Sequence, residues 1–302
     1  MASRTHLVRR SAAVGTAATL ALALAACGSS SKGASTQPSS VPSASADSTI
    51  SVPAAIKTKG TLVVATDPSY APNEFFGSDN KTIVGMDIDL ANAVAQTLGL
   101  KFNIVKADFA GIIPGLSSDK YDLSFSSFTD SKEREKAVDM VTYFTAGTSL
   151  LVKSGNPDKL TPDALCGKKV AVEKGTVQEN PDLPTKSKAC TTAGKSAITT
   201  LSYPDQAGAN LALQSGRADA VLADSPVAEY AAKQSSGQFE VTGSSYDDAP
   251  YGIAVPKTTG MAAPVLAAVK KLMADGTYTT ILKKWGIESG AITNPQINGA
   301  VS

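Results

Sequence analysis

Histidine is almost absent: the chain of 302 residues contains one, His6. Everything beyond that position is therefore excluded from His-based catalytic triads and His-ligated metal sites. Excess charge is missing too, since 28 Lys and Arg stand against 27 Asp and Glu. Nucleic-acid binding needs a basic footprint, and this balance supplies none. Soft metal ligands are equally scarce, with only three cysteines in the chain. No cofactor, no metal and no nucleic-acid partner are expected. Beyond the N-terminal region, no apolar run reaches the roughly 20 residues that a membrane-spanning helix requires.

What is present begins with a leader. Arg4, Arg9 and Arg10 form a positive start, and Ser11 to Ala26 is an apolar stretch too short to span a bilayer. It ends Leu24-Ala25-Ala26-Cys27-Gly28, which resembles the lipobox of bacterial lipoproteins. The resemblance implies cleavage before Cys27, acylation of that cysteine (palmitate) and a lipid anchor on the outer face of the cell membrane. An ordinary signal peptide with Cys27 incidental is the other reading. Arg9-Arg10 hints at twin-arginine export, but the residues that follow suit the general route better. Loss of residues 1–26 would remove His6 and three arginines, leaving 25 basic against 27 acidic residues, near neutrality. With Cys27 acylated, Cys166 and Cys190 remain as an even pair in an oxidising compartment and are expected to be bonded. Two free buried thiols are the alternative.

Residues 27–53, rich in Ser, Ala, Gly and Pro, carry too little apolar surface to fold and read as a disordered tether. The remainder is too long for one small core and fits two lobes. Short apolar strand candidates alternate with amphipathic helices. TLVVAT (61–66) precedes a helix over 86–100, then KFNIV, AGIIPGL and DLSF; the rhythm restarts at KKVAVE (168–173), TLSY, a helix in PDQAGANLALQSG and ADAVLAD (218–224). Such alternation predicts parallel sheets covered on both faces. The expected class is α/β, two-lobed, with two doubly wound sheets. Residues 54–149 and 254–302 form lobe 1 and residues 150–253 form lobe 2, joined by two strands near TSLLVK (148–153) and YGIAVPK (251–257) that make a hinge. Ligands in such folds sit in the crevice at the carboxyl ends of strands.

One stretch raises a sharper question. SSFTDSKEREK (126–136) places hydroxyls before an alternating charge run, and a helix starting near Asp130 with Glu133 three residues on reads as a capping box. Arg134 is then either part of a solvated face or a group waiting for an anion. GMDIDLANAVA (85–95) bears on the choice, because it resembles the Gly-aromatic-Asp-x-Asp-Leu signature of the family 3 bacterial extracellular solute-binding proteins, with Met86 in place of the aromatic. The resemblance continues, in the family's order, through GTLVVATDPSYAPNEF, FAGIIPGLSSDKYDLSFSSFTDSKERE, VAVEKGTVQE, GRADAVLADSP, YGIAVPK and DGTYTTILKKWGI. It implies a type II periplasmic-binding-protein-like fold and capture of an amino acid for an ABC importer. The partners implied are a membrane permease and its ATPase, with the chain acting as a monomer.

The resemblance also assigns residues. Tyr70 and Phe109 match aromatic walls; Ser127 and Thr129 match hydroxyl and backbone contacts of the first lobe. Arg134 matches the grip on the ligand's α-carboxylate, and Asp224 the acid that takes the α-ammonium. Thr176, Val177 and Gln178 match a helix start in the second lobe, where Thr176 and Glu179 read as a capping box and Pro181 and Pro184 should shorten the helix. Ser225 reads as the cap of the next helix, with Pro226 at its first position, which frees Asp224 for the crevice. Asp67 and Glu173 match positions facing the ligand's side chain. Two facing carboxylates repel unless a cation lies between them, so a cationic amino acid is expected. If Lys174 neutralised Glu173, glutamine or another neutral polar amino acid would fit instead; adjacent strand residues point to opposite faces, which disfavours that pairing. An exported enzyme resembling cyclohexadienyl dehydratase is the other class, and a sensor ectodomain would need a transmembrane span and a signalling domain.

Overall fold

A computed structural model describes residues 44–301. The leader, Cys27 and most of the expected tether lie outside the described residues. The tether's last residues are not free: within 44–53, Ala44, Ile50 and Val52 pack on the first core, and the Asp47 N–H donates to Thr97 O at 2.8 Å.

The elements in order are α1 (Ala54–Lys59), β1 (Thr61–Thr66), β2 (Ser69–Tyr70), β3 (Glu74–Phe76), β4 (Ile83–Val84), α2 (Met86–Thr97), β5 (Lys101–Lys106), α3 (Phe109–Ser117), β6 (Leu123–Ser124), α4 (Arg134–Ala137) and β7 (Val138–Lys153). There follow β8 (Lys169–Glu173), an irregular turn (Gln178–Asp182), α5 (Leu183–Thr192), β9 (Thr199–Tyr203), α6 (Gln206–Gln214), β10 (Ala220–Asp224), α7 (Ser225–Gln234), β11 (Phe239–Pro256), α8 (Ala262–Ala274) and α9 (Thr277–Trp285). The strands form an eight-stranded ladder in the order β5-β1-β6-β11-β7-β10-β8-β9, beside a small sheet β2-β3-β4. β1 pairs parallel with β5 and β6, and β8 parallel with β9 and β10.

Two strands carry the chain between the halves. The first part of β7, Val138 to Phe144, pairs with Pro256 to Tyr251 of β11, whereas Thr148 to Val152 pairs with β10 and with the start of β11. Two register shifts in β11 fall between Thr242 and Ala249, where the ladder passes from one half to the other, and a third between Tyr251 and Gly252. The expected crossing segments are thus the ends of strands of 16 and 18 residues. Each half has its own cores, one on either face of its sheet. In β10, Ala220 and Leu222 pack with Leu183 and Cys190, while Val221 and Ala223 pack with Ala209, Ala212 and Val227. That alternation is the strand period of two, with α5 covering one face and α6 and α7 the other.

The signature segment opens α2. Gly85 has φ +140°, and a Cβ there would lie 2.0 Å from Asn73 O, so only glycine fits. Met86 is fully buried. Asp89 accepts from Lys284 Nζ and Trp285 Nε1, both at 2.7 Å, which fastens the C-terminal α9 to the first half. Cys166 and Cys190 are bonded to each other, tying the end of α5 to the segment before β8.

Two local expectations need correction. Asp130 does not cap a helix: α4 is only four residues long and begins at Arg134, and the Asp130 carboxylate instead accepts from Gly299 N–H at 2.8 Å. In the second half, Asp224 rather than Ser225 holds the cap position of α7, with its side chain turned away from the helix. The effect of Pro181 also differs in form. The chain leaves helical geometry at Asn180 (φ −156°, ψ 119°) and resumes as α5, so the helix is broken rather than ended.

Candidate functional site: the cleft between the halves

The carboxyl ends of β1, β8 and β10 deliver Asp67, Glu173 and Asp224 to one cleft. Tyr70, Phe109, Ser127, Thr129 and Arg134 line it from the first half, and Thr176, Val177 and Gln178 from the second. All eleven residues expected in the cleft are therefore brought together. Glu74, which was not expected, stands among them.

Arg134 opens the four-residue α4. Its guanidinium lies over the rings of Phe128 and Phe109, with its central carbon 4.9 and 5.5 Å from their centroids, and those rings stack on each other at 4.2 Å. Nη1 donates to Thr129 O at 2.8 Å, and Nη2 reaches across the cleft to Gly175 O at 3.0 Å. Desolvation brings its pKa down to about 10, so it stays charged at neutral pH. Gly175 has φ +85°, and a Cβ there would stand 3.0 Å from Ala110 of the opposite half, so glycine permits the close approach.

Across the cleft, buried Asp224 accepts from Gln178 Nε2 at 2.7 Å and Tyr251 Oη at 2.6 Å. Its backbone N–H donates to Tyr70 Oη at 3.1 Å, a second bond between the halves. Burial raises its pKa, while those hydrogen bonds and the field of Arg134 oppose the rise. Gln178 is fixed in turn by Thr148 Oγ1 at 2.9 Å. The Thr176 cap forms with one shift: Thr176 Oγ1 accepts from Glu179 N–H at 3.3 Å, but the Glu179 carboxylate accepts from Gly175 N–H rather than from the cap residue.

The remaining wall is acidic. Asp67 is buried and accepts from Phe109 N–H at 3.0 Å; desolvation raises its pKa. Glu173, 2% exposed, has its pKa pushed well above the usual carboxylate range by burial first, then by Asp67, Asp205 and Asp224. Its Oε1 has no hydrogen-bond partner among the described residues. Lys174 is exposed, in the turn just after β8.

Ser127 contributes differently than expected. Its N–H donates to Asp87 Oδ2 at 2.9 Å and its hydroxyl to Glu74 Oε2 at 3.1 Å, so both donors are engaged behind the cleft. Burial and the neighbouring Asp87 raise the Glu74 pKa strongly, and burial raises that of Asp87 as well. The signal for Glu74 in the sequence is a lone acid in the short run Asn73-Glu74-Phe75-Phe76. Tyr251, the partner of Asp224, sits in an apolar strand run and carries no such mark.

A cleft between two α/β halves on crossing strands, lined by one cation and several acids, defines a type II periplasmic-binding-protein fold. The chain belongs to the bacterial extracellular solute-binding proteins, family 3, whose model matches residues 62–288. It is 37% identical over 247 residues to the arginine-binding protein ArgT of Corynebacterium glutamicum, covering 82% of this chain and 81% of that one. It is 34% identical over 275 residues to the ABC transporter glutamine-binding protein GlnH of Bacillus subtilis, covering 87% and 91%. An ancestral arginine-binding protein bound to arginine superposes with a TM-score of 0.68 at 36% identity, covering 75% of this chain and 98% of that one. Among the described residues, no helix is long and apolar enough to cross a membrane.

Proposed function

We propose that this protein captures a cationic L-amino acid, arginine foremost, between its two lobes and delivers it to an ABC permease and its ATPase. The observation that carries the proposal is the buried, unpartnered Oε1 of Glu173 beside Asp67 in the cleft. A carboxylate without a partner in a desolvated wall is costly, and a guanidinium or ammonium between the two acids removes that penalty. Arg134 grips the α-carboxylate as a planar fork, and Asp224 receives the α-ammonium. Tyr70 and Phe109 supply aromatic surface for the ligand's stem. The similarity to named arginine binders supports the same reading.

Residues 54–149 with 254–302 act as lobe 1 and 150–253 as lobe 2, closing about the crossing strands. The protein works as a monomer held outside the cell by a lipid on Cys27. It binds without turnover, because a carboxylate clamp facing an ammonium clamp is complete for an amino acid. Incubation with prephenate or arogenate tests this, and product formation would overturn it.

One observation favours a second ligand. Burial raises the Glu173 pKa well above the usual carboxylate range, and a carboxyl in its neutral form can donate a hydrogen bond to the side-chain amide oxygen of glutamine. Calorimetric titration with arginine, lysine, ornithine and glutamine separates the readings. The cationic reading requires arginine or another cation to bind tightest; tighter binding of glutamine would overturn it and leave the α-group clamp standing.

A further inference from the structure

The Arg134 guanidinium is well seated, but the backbone of the segment that presents it is short: Arg134 N–H donates to Ser131 Oγ at 3.3 Å and Glu135 N–H to Ser131 O at 2.9 Å. α4 is four residues long, has no side-chain cap and buries none of its residues. The polar segment after α9 supplies an outside support. It runs antiparallel to β7, with Thr142 N–H donating to Gln296 O at 2.9 Å and Asn298 N–H donating to Met140 O at 2.7 Å. That much covers an edge of the sheet, as exposed edges commonly are covered. The next two residues go further. Gly299 N–H donates to Asp130 Oδ2 at 2.8 Å, and Ala300 N–H donates to Glu135 Oε1 at 3.0 Å. These carboxylates flank Arg134 on either side in sequence. Asp130 is fully buried, and its own N–H donates to Pro250 O at 2.7 Å on β11.

We infer that the C-terminal tail is part of the binding machinery: Gly299 and Ala300 latch the loop 129–135 through Asp130 and Glu135, and Asp130 is a positioning residue for the Arg134 guanidinium. A bidentate clamp tolerates only about 0.5 Å of misplacement, so a four-residue helix needs such an outside brace. The inference rests on Arg134 as the carboxylate clamp of the proposed function.

The test uses the full chain, Asp130→Ala, Asp130→Asn, a truncation lacking residues 296–302, and the truncation combined with Asp130→Ala. L-arginine affinity is measured by calorimetry, and backbone amide exchange is followed over 129–136. The latch predicts that Asp130→Ala and the truncation each weaken arginine binding about tenfold or more and speed exchange in the loop. Asp130→Asn, whose amide oxygen still accepts from Gly299, should restore both. The combined variant should be no weaker than the truncation alone, because the truncation already removes the Gly299–Asp130 link. Unaltered affinity in folded Asp130→Ala, no recovery in Asp130→Asn, or additive losses would overturn the inference. If the truncation does not fold, the Ala and Asn variants decide on the intact chain. If the unaltered protein ignores arginine, the proposed ligand fails alone, and the exchange measurement still tests the latch.

Discussion

At the scale of single residues, the cleft is a set of charges whose burial makes them responsive to a ligand. Glu173 holds its proton to higher pH than a free carboxyl, because ionising it without a partner is unfavourable. Its contribution to stability is therefore fully present below the ordinary carboxyl pKa and is lost as pH rises through the elevated value. A cationic side chain reverses the preference and drives the proton off. Arginine binding should release a proton to buffer, detectable by calorimetry in buffers of different ionisation enthalpy, and Glu173→Gln should abolish the release. No buffer dependence in the unaltered protein would argue that the ligand's cation lies elsewhere. Removal of the opposite clamp, Arg134→Ala, should weaken binding by about 2–5 kcal/mol while the fold survives. Arg134→Lys should recover only part of this, since a point charge cannot replace the fork. Circular dichroism together with titration checks both. The acids Asp67, Glu173 and Asp224 were legible through the family resemblance, which assigns each a place at or just past the end of an apolar strand run. Glu74 was not, because its strand is three residues long and too short to show an alternation.

At the scale of elements, the sequence pattern was a good guide wherever a segment packs by its own periodicity. β1, α2, β8 and β10 lie within a few residues of their expected spans. The middles of β7 and β11 were hidden, since Gly147 and the run Gly243 to Asp248 look like loop chemistry. They are strands because each is the other's ladder partner, and such long-range pairing is not written in local composition. Asp130 failed for the same reason, its partner lying 169 positions away. Two elements carry predictions. Gly175→Ala should impair closure, because its backbone conformation disfavours a side chain and its Cβ would press on Ala110 across the cleft. Arginine binding should weaken more than the melting temperature falls; the reverse pattern would make the glycine a purely local requirement. Replacing Cys166 and Cys190 together by serine should destabilise the protein by about 3 kcal/mol, read from the urea midpoint at constant slope.

At the scale of the whole molecule, polar contacts between the halves include Arg134 to Gly175, Asp224 to Tyr70, and Gln206 N–H donating to Ser69 Oγ at 3.1 Å. The cleft draws Asp67, Tyr70 and Arg134 from one half and Glu173, Gln178 and Asp224 from the other, so the site is complete only when the halves are together. A ligand that touches both walls must favour that arrangement by its differential affinity for it. Saturating arginine should reduce the radius of gyration measured by X-ray scattering, and an unchanged radius would indicate a rigid cleft. The most direct test is a crystal structure of the protein grown with L-arginine. The α-carboxylate should lie on the Arg134 fork, the α-ammonium at Asp224, and the guanidinium between Asp67 and Glu173. Arginine bound with its guanidinium away from those two carboxylates, or bound outside the cleft, would contradict the assignment of the acidic wall to the ligand's side chain.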